Sequence, residues 1–175
     1  MLKNKKNIIL LGYMGSGKTS VGKALAKQLD RQFIDLDDYI SKKEGLSISE
    51  IFNSKGEKHF RTLEKEYLKD ILSNREYYVL ALGGGTPTIQ GVMKIINKHG
   101  LSIYLQHDVE GLYQNLKPKA VERPLLNDLS QDLLKHYISE HLMLREPEYL
   151  KADLTILTHG KSIQLIVNKI LELLN

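Results

Sequence analysis

The sequence contains no cysteine, and this absence removes several kinds of chemistry. A chain without cysteine has no disulfides, no thiolate metal ligands and no cysteine nucleophile. It also has no apolar run of transmembrane length, and the apolar stretch after Lys3, Lys5 and Lys6 is too short for a secretory signal. We therefore expect a cytoplasmic protein with no membrane partner.

Other familiar functional patterns are missing as well. The six histidines show no metal-ligand spacing, and we interpret them as surface or local hydrogen-bonding residues. There is no nucleophile elbow, internal repeat or low-complexity tract. The net charge of +4 comes from basic residues interleaved with acidic ones, which is typical of solvated faces, so a nucleic-acid partner is not expected. A length of 175 residues favours a single domain, 1–175, and we expect a monomer.

Short apolar runs alternate with helical patterns along the chain. Because strands that alternate with helices form parallel sheets covered on both faces, the sequence predicts an α/β fold. Ser47 and Glu50 form a capping-box pattern that should open a short helix ending near Asn53. Glu57 to Leu72 should form an amphipathic helix, and so should His136 to Arg145 before Pro147. The predicted strands are Asn7–Leu11, Gln32–Asp35, Tyr77–Leu82, Leu101–Gln106 and Asp153–Leu157.

The segment from Gly12 to Thr19 reads Gly-Tyr-Met-Gly-Ser-Gly-Lys-Thr, a complete phosphate-binding loop between a predicted strand and a predicted helix. Its glycines allow backbone N–H groups to surround a polyphosphate, and the helix N-terminus adds a favourable dipole. Lys18 can reach the outer phosphates, and the Thr19 hydroxyl can ligate Mg²⁺. The alternative is a glycine-rich turn that ends in Lys-Thr by chance, but the strand and helix around it favour nucleotide binding.

Two further features could supply chemistry at the carboxyl ends of the strands. Asp35 and Asp37 project to the same side if the chain is extended, so that one could hold Mg²⁺ and the other could orient an acceptor hydroxyl. One of them could instead be a helix N-cap. Gly83, Gly84 and Gly85 allow backbone to approach a ligand closely; the alternative is a plain tight turn, which needs only one or two glycines.

Three arginines have forked side chains suited to a carboxylate or a phosphate, although a lone arginine is usually a surface residue. They are Arg61 on the amphipathic helix, Arg123, and Arg145 just before Pro147. Arg123 lies within residues 117–129, where prolines, mixed charges and weak periodicity indicate a mobile loop.

Taken together, these motifs resemble those of shikimate kinases along nearly the whole chain. The elements that carry the resemblance, beyond the phosphate loop, are Phe33-Ile-Asp-Leu-Asp37, Phe60-Arg61-Thr-Leu-Glu64, Leu82-Gly-Gly-Gly85, Arg123-Pro-Leu-Leu126 and Arg145-Glu-Pro-Glu-Tyr149. The resemblance implies a three-layer α/β/α P-loop kinase fold with a central five-stranded parallel sheet and a mobile lid. It also implies ATP-dependent phosphorylation of the 3-hydroxyl of shikimate, with Mg²⁺, in the biosynthesis of chorismate and aromatic amino acids.

The resemblance also implies a role for each site residue. Lys18, Asp37 and Arg123 would be catalytic, and Thr19 and Asp35 would hold the metal. Shikimate would contact Asp37, Arg61, Gly83, Gly84, Gly85 and Arg145, with the two arginines on its carboxylate. ATP would contact Gly12, Gly15, Ser16, Gly17, Lys18, Thr19, Ser20, Arg123 and Lys161.

The chain departs from the family pattern on the adenine side. Family members often carry an arginine in the helix before the lid, where this chain has Asn115, and Lys161 stands at a second position where an arginine would be expected. Lys117 or Tyr113 could cover the base instead.

Two other functions are open on the sequence. A related small-molecule kinase, for example one acting on gluconate, would share the phosphate loop but would not explain Arg61, the three glycines and Arg145 together. A non-catalytic nucleotide switch would be expected to lose an acceptor-binding or lid residue, and none is lost.

Overall fold

Five parallel strands form the central sheet of the computed structural model, which describes residues 7–117 and 131–174. Their spatial order is β2-β3-β1-β4-β5, and each neighbouring pair is parallel. The five predicted strands are confirmed, each to within one residue at either end. The strands are β1 (Ile8–Leu11), β2 (Gln32–Asp35), β3 (Tyr78–Ala81), β4 (Leu101–Gln106) and β5 (Leu154–Leu157).

Helices connect these strands and cover both faces of the sheet. They are α1 (Lys18–Gln28), α2 (Leu36–Glu44), α3 (Ile48–Asn74), α4 (Val92–His99), α5 (Val109–Leu116), α6 (Gln131–Tyr149) and α7 (Ile163–Leu174), with a short 3₁₀ helix at Thr86–Thr88. The described residues include no helix that is both long and apolar enough to cross a lipid bilayer.

The central strand shows how the sequence produces three layers. All four side chains of β1 are fully buried, and successive side chains point to opposite faces. Ile9 and Leu11 join a core formed with α2 to α6, whereas Ile8 and Leu10 join a second core formed with α1 and α7. Full burial of each side chain stabilises the fold by roughly 1.5–3 kcal/mol. A continuous apolar strand is therefore what a sheet covered on both faces requires.

The strand order also fixes where a ligand can bind. Strand β1 pairs with β3 on one side and with β4 on the other, so the connections diverge on either side of it. Such a divergence leaves a crevice outside the carboxyl ends of the strands. The ends of β1, β2 and β3 bring the phosphate loop, Asp35 and the three glycines to that edge.

The capping box is confirmed at the start of α3. The Ser47 hydroxyl accepts from the Glu50 N–H at 3.2 Å, and the Glu50 carboxylate accepts from the Ser47 N–H at 2.7 Å. The two helices predicted here form one element with a kink at Gly56, whose φ of 77° and ψ of 169° are not helical. The residues after the kink bury Phe60, Leu63 and Glu64 along the predicted amphipathic face.

Helix α6 is longer than the predicted His136–Arg145. It runs from Gln131 through Pro147 to Tyr149, so the expectation that it ends beside Arg145 is wrong. Proline removes one N–H donor, yet here the helix continues for two more residues. The extension places Tyr149 one turn beyond Arg145 on the same face of the helix.

Candidate active site

The phosphate loop joins β1 to α1 with glycine at the positions that need unusual backbone angles. Gly15 and Gly17 have φ of 83° and 88°, in the left-handed region, and Gly17 is the N-cap of α1. The Lys18 ammonium donates to the carbonyl oxygens of Gly12 and Tyr13, both at 2.8 Å. Lys18 therefore lies folded against the loop whose ligand it is predicted to bind.

Asp35 connects the loop to the second strand. It is the N-cap of α2, because its Oδ1 accepts the Asp37 N–H at 3.1 Å. Its Oδ2 accepts the Thr19 hydroxyl at 2.9 Å. A hydroxyl and a carboxylate side by side at the edge of the cavity are oxygen ligands of the kind that Mg²⁺ prefers.

Asp37 reaches the cavity in a different way from the one expected. The argument from alternation in an extended chain is wrong, because Asp37 lies in the first turn of α2, directly after the Asp35 cap. Its Oδ1 is buried and, among the described residues, has no hydrogen-bond partner. Burial, followed by the nearby Asp35 and Glu64 carboxylates, raises the pKa of Asp37 to about 6, against the opposing effect of Lys18 and Arg61.

Glu64 connects the side chains beside the glycine turn, although nothing in its sequence position beyond its place in the motif indicated a role. Its side chain is fully buried on α3. It accepts from Arg61 at 2.6 Å and from the Thr86 hydroxyl at 2.5 Å. Glu57 holds the second nitrogen of the Arg61 guanidinium at 2.9 Å. Because a buried carboxylate is costly unless it is paired, Glu64 and Arg61 constrain each other's position.

The three glycines leave room for these charged side chains. A Cβ on Gly83 would lie 2.8 Å from Glu64 Oε1 and 3.0 Å from Asp37 Oδ1. A Cβ on Gly85 would lie 2.6 Å from Arg61 Cζ, although Gly85 itself has an ordinary φ of −90°. These glycines therefore permit close approach and are not required by backbone conformation.

Arg145 and Tyr149 support the same turn from α6. The Tyr149 hydroxyl donates to the Gly84 carbonyl at 2.5 Å, and Arg145 hydrogen-bonds the Tyr149 side chain. A Cβ on Gly84 would lie 3.7 Å from Arg145 Nη1, and the guanidinium sits 5.5 Å from the Tyr13 ring centroid. Burial raises the pKa of Tyr149 to about 12, so its hydroxyl stays protonated and able to donate.

A cavity of about 900 Å³ brings most of the phosphate loop together with part of the predicted shikimate site. Gly12, Gly85, Arg61 and Arg145 do not line it. At one end lie Asp35, Asp37, Gly83 and Gly84, beside the loop residues Gly15 to Ser20. This is where we expect the phosphate acceptor, and it is called the acceptor end below. The other end is lined by His107, Gln114, Asn115, Thr158, Lys161 and Ile163. Arg61 lines a neighbouring groove of about 530 Å³ with Lys58 and Lys65.

Comparison with known proteins identifies the family. Residues 14–175 match the family model described as shikimate kinase. A shikimate kinase of Flavobacterium psychrophilum is 38% identical over 170 residues, which cover 97% of this chain and 99% of that protein. The chain belongs to the shikimate kinase family.

Solved structures of shikimate kinases share its architecture. The enzyme from Bacteroides thetaiotaomicron superposes with a TM-score of 0.90 at 34% identity, covering 96% of this chain and 97% of that one. The enzyme from Acinetobacter baumannii, solved in complex with shikimate, gives 0.88 at 36% identity, covering 98% and 94%. The predicted family, P-loop kinase fold and ATP-dependent kinase activity are therefore confirmed.

The end of the cavity lined by His107, Asn115 and Lys161 is where we expect the nucleotide base, and it is called the base end below. Its contacts differ from those that the family pattern predicts. Asn115 donates to the Gly15 carbonyl at 2.9 Å, and Lys161 donates to the Leu157 carbonyl at 2.8 Å. Tyr113 cannot cover a base in this conformation, because it is buried in the first core and 2% exposed. Arg123 and residues 118–129 of the predicted lid lie outside the described residues.

Proposed function

We propose that this kinase transfers the γ-phosphoryl group of ATP to the 3-hydroxyl of shikimate, giving shikimate 3-phosphate and ADP. The observation that carries the proposal is the buried Asp37 Oδ1, which lacks a described partner and shares one cavity with the phosphate loop. A buried acceptor oxygen without a partner is costly, and a substrate hydroxyl would remove that cost.

Shikimate would bind at the acceptor end through Asp37, Arg61, Gly83, Gly84, Gly85 and Arg145. The arginines approach the glycine turn from different helices, Arg61 beside Gly85 and Arg145 beside Gly84. Two forked cations around one turn suit a small carboxylate, because guanidinium groups bind carboxylates through paired hydrogen bonds. The relative solved with shikimate supports this choice of acceptor.

ATP would bind with its phosphates on Gly12, Gly15, Ser16, Gly17, Lys18, Thr19 and Ser20, and with its base toward Lys161. Lys18 would exchange the Gly12 and Tyr13 carbonyls for phosphate oxygens, which requires only rotation of its side chain. Thr19 and Asp35 would hold Mg²⁺, which neutralises phosphate charge when bound.

Asp37 would act on the hydroxyl that attacks. With a pKa of about 6 it is mostly ionised at neutral pH, so Oδ1 can accept the hydroxyl hydrogen bond. It either takes the proton or only orients the oxygen; both roles require the ionised form. Arg123 would stabilise charge on the transferring phosphoryl group from a lid over residues 117–129, within a single domain of residues 1–175.

We also propose a monomeric cytoplasmic enzyme without a nucleic-acid or membrane partner. Basic and acidic side chains pair along the exposed helices, as in Lys151 with Glu148 and Lys169 with Glu172. Opposite charges paired in this way are typical of solvated helix faces.

The deciding experiment is ADP release by the purified protein with ATP and Mg²⁺, with and without shikimate. We expect strong turnover with shikimate and none with gluconate or quinate. Turnover with gluconate, or ATP binding without turnover on shikimate, would contradict the proposal.

A further inference from the structure

Two imidazole rings and one carboxylate converge beside the base end of the cavity. His107 and Asp108 lie between β4 and α5, and His159 lies between β5 and α7. Asp108 Oδ1 is 3.2 Å from His107 Nδ1 and 2.9 Å from His159 Nδ1. Within residues 7–117 and 131–174, this is the one group of three such side chains whose candidate ligand atoms all lie within 4.8 Å of one another.

The donor set and its spacing suit a metal of the zinc class. Two imidazole nitrogens and one carboxylate oxygen make a set that such metals bind, with water at the fourth position. A tetrahedral site with bonds of about 2.0–2.1 Å separates its ligand atoms by roughly 3.3 Å. The observed nitrogen–oxygen separations of 3.2 and 2.9 Å are close to that value. Small side-chain shifts would admit the ion.

Two of the three ligands are already held in place. The Asp108 carboxylate caps α5, because Oδ1 accepts the Gly111 N–H at 2.9 Å. The His107 ring packs over Gly111 so closely that a Cβ there would overlap it. The His107 side chain is only 10% exposed, whereas His159 is 62% exposed and free to rotate toward the ion.

His107 also links this cluster to the phosphate loop. Its Nε2 faces the Asn115 amide nitrogen at 3.5 Å, and that same amide nitrogen donates to the Gly15 carbonyl at 2.9 Å. With the proton on Nδ1, shared with Asp108, Nε2 is an acceptor and suits the Asn115 N–H. A metal on Nδ1 would move that proton to Nε2, leaving the ring neutral and placing two donors face to face. Asn115 would then have to rotate and release Gly15.

We propose that His107, Asp108 and His159 form a binding site for a zinc-class divalent ion, and that its occupancy is coupled to the phosphate loop through Asn115. The site is separate from the Mg²⁺ site expected at Thr19 and Asp35. It does not depend on which acceptor the kinase uses.

The first test is calorimetric titration of the nucleotide-free protein with Zn²⁺, in excess Mg²⁺ to occupy oxygen-only sites. We expect one ion per chain, with affinity at least about tenfold weaker in His159→Gln, since that variant loses a direct ligand. Asp108→Asn should also weaken binding while keeping the helix cap, because asparagine caps as well as aspartate.

The matched control is His136→Gln, which removes another exposed histidine with a carboxylate nearby, Glu140 at 3.3 Å. It should bind Zn²⁺ as the unaltered protein does. The proposal is overturned if His159→Gln binds as tightly as the unaltered protein, or if His136→Gln loses as much affinity.

The second test measures the coupling between the metal site and the phosphate loop, and it does not depend on enzyme activity. Nitrogen-15 NMR of the histidine rings distinguishes the two tautomers, and the Asn115 amide reports its own contact. We expect Zn²⁺ to move the His107 proton to Nε2 and to shift the Asn115 side-chain and Gly15 signals. Zinc binding at the cluster with no change at Asn115 and Gly15 would overturn the coupling.

Discussion

At the acceptor end of the cavity, charged side chains are buried and joined to one another, whereas at the base end Asn115 and Lys161 are exposed and contact backbone carbonyls. Glu64 is fully buried between Arg61 and Thr86, and Asp37 lies beside it. Asn115 and Lys161 each donate to one backbone oxygen. The two ends differ in how much of the site is fixed before a ligand arrives.

This difference explains where the chain keeps the family pattern. Removing one partner of a buried ion pair leaves an uncompensated charge and costs about 3–5 kcal/mol. A contact between exposed groups contributes much less, in the range of about 0–1 kcal/mol. Single substitutions in the ion pairs of the acceptor end should therefore strongly destabilise the fold. At the base end, Asn115 can replace the arginine that family members often carry, at little cost to the stability of the fold.

The largest effect should come from Asp37→Asn. An amide cannot take a proton from the attacking hydroxyl, and loss of a positioned acid or base typically lowers the rate about 10²–10⁴-fold. Steady-state kinetics with saturating ATP and shikimate will measure kcat. The matched control is Asp38→Asn, because Asp38 is the exposed neighbour on the same helical turn and should keep nearly full activity.

The pH profile of the unaltered enzyme tests the same group. Since the pKa of Asp37 is about 6, kcat/KM should fall on the acid side as pH drops through that value. A profile with no acid limb near pH 6, or full activity in Asp37→Asn, would remove Asp37 from the chemistry.

The next effect should come from Gly85→Ala. The added methyl carbon would lie 2.6 Å from Arg61 Cζ, and Arg61 cannot retreat without leaving buried Glu64. We expect the KM for shikimate to rise about tenfold or more, because displacing one charge-assisted contact costs about 1.5–3 kcal/mol. The KM for ATP should change little.

Gly84→Ala is the matched control for this prediction. Its added carbon would meet Met14 N at 3.4 Å and Arg145 Nη1 at 3.7 Å, which are ordinary contacts. It should therefore raise the shikimate KM by less than Gly85→Ala does. Equal effects of the two variants would show that the turn, and not the position of Arg61, governs binding.

Much of this architecture could be predicted from the sequence because it depends on local patterns. Apolar runs and helical periodicity located all five strands, and the phosphate loop was recognisable by its spacing. Asp35, Asp37, Gly83 and Gly84, which the sequence analysis singled out, line one cavity together with the loop. The sequence could also predict the capping box at Ser47, because both of its partners lie within one turn.

Other features could not be predicted from the sequence. They arise where one segment is compatible with two local structures, or where residues far apart in the chain come into contact. Asp35 ends its strand and caps a helix at once, so Asp37 is helical and the alternation argument failed. Helix α6 continues through Pro147, and only this extension brings Tyr149 to Gly84. His107 and His159 belong to separate loops, so no spacing rule could join them.

A smaller effect should appear in stability. Folding raises the pKa of Asp37 from 3.8 to about 6. At pH 7, ionisation of Asp37 is therefore less favourable in the folded protein than in the unfolded chain, and this difference lowers the free energy of unfolding. Asp37→Asn should remove that difference and raise the free energy of unfolding by about 1–3 kcal/mol. Urea unfolding will measure it.

The sign of this effect can be checked with pH. The advantage of Asp37→Asn should be fully present above pH 7 and should shrink as pH falls through about 6 toward 3.8, because the aspartate then protonates in the folded state. An inactive variant that is also less stable than the unaltered protein at pH 7 would indicate that Asp37 is held by structural contacts.

The smallest effect should come from Asn115→Ala at the base end. The change removes one hydrogen bond of 2.9 Å to the Gly15 carbonyl, and a net hydrogen bond contributes about 1 kcal/mol. We expect the KM for ATP to rise about fivefold and the KM for shikimate to stay unchanged, since Asn115 lies away from Asp37 along the cavity. Thermal unfolding should confirm that the variant remains folded. A larger loss of ATP affinity than Gly85→Ala causes for shikimate would reverse the comparison, because the base end would then be the more strongly organised one.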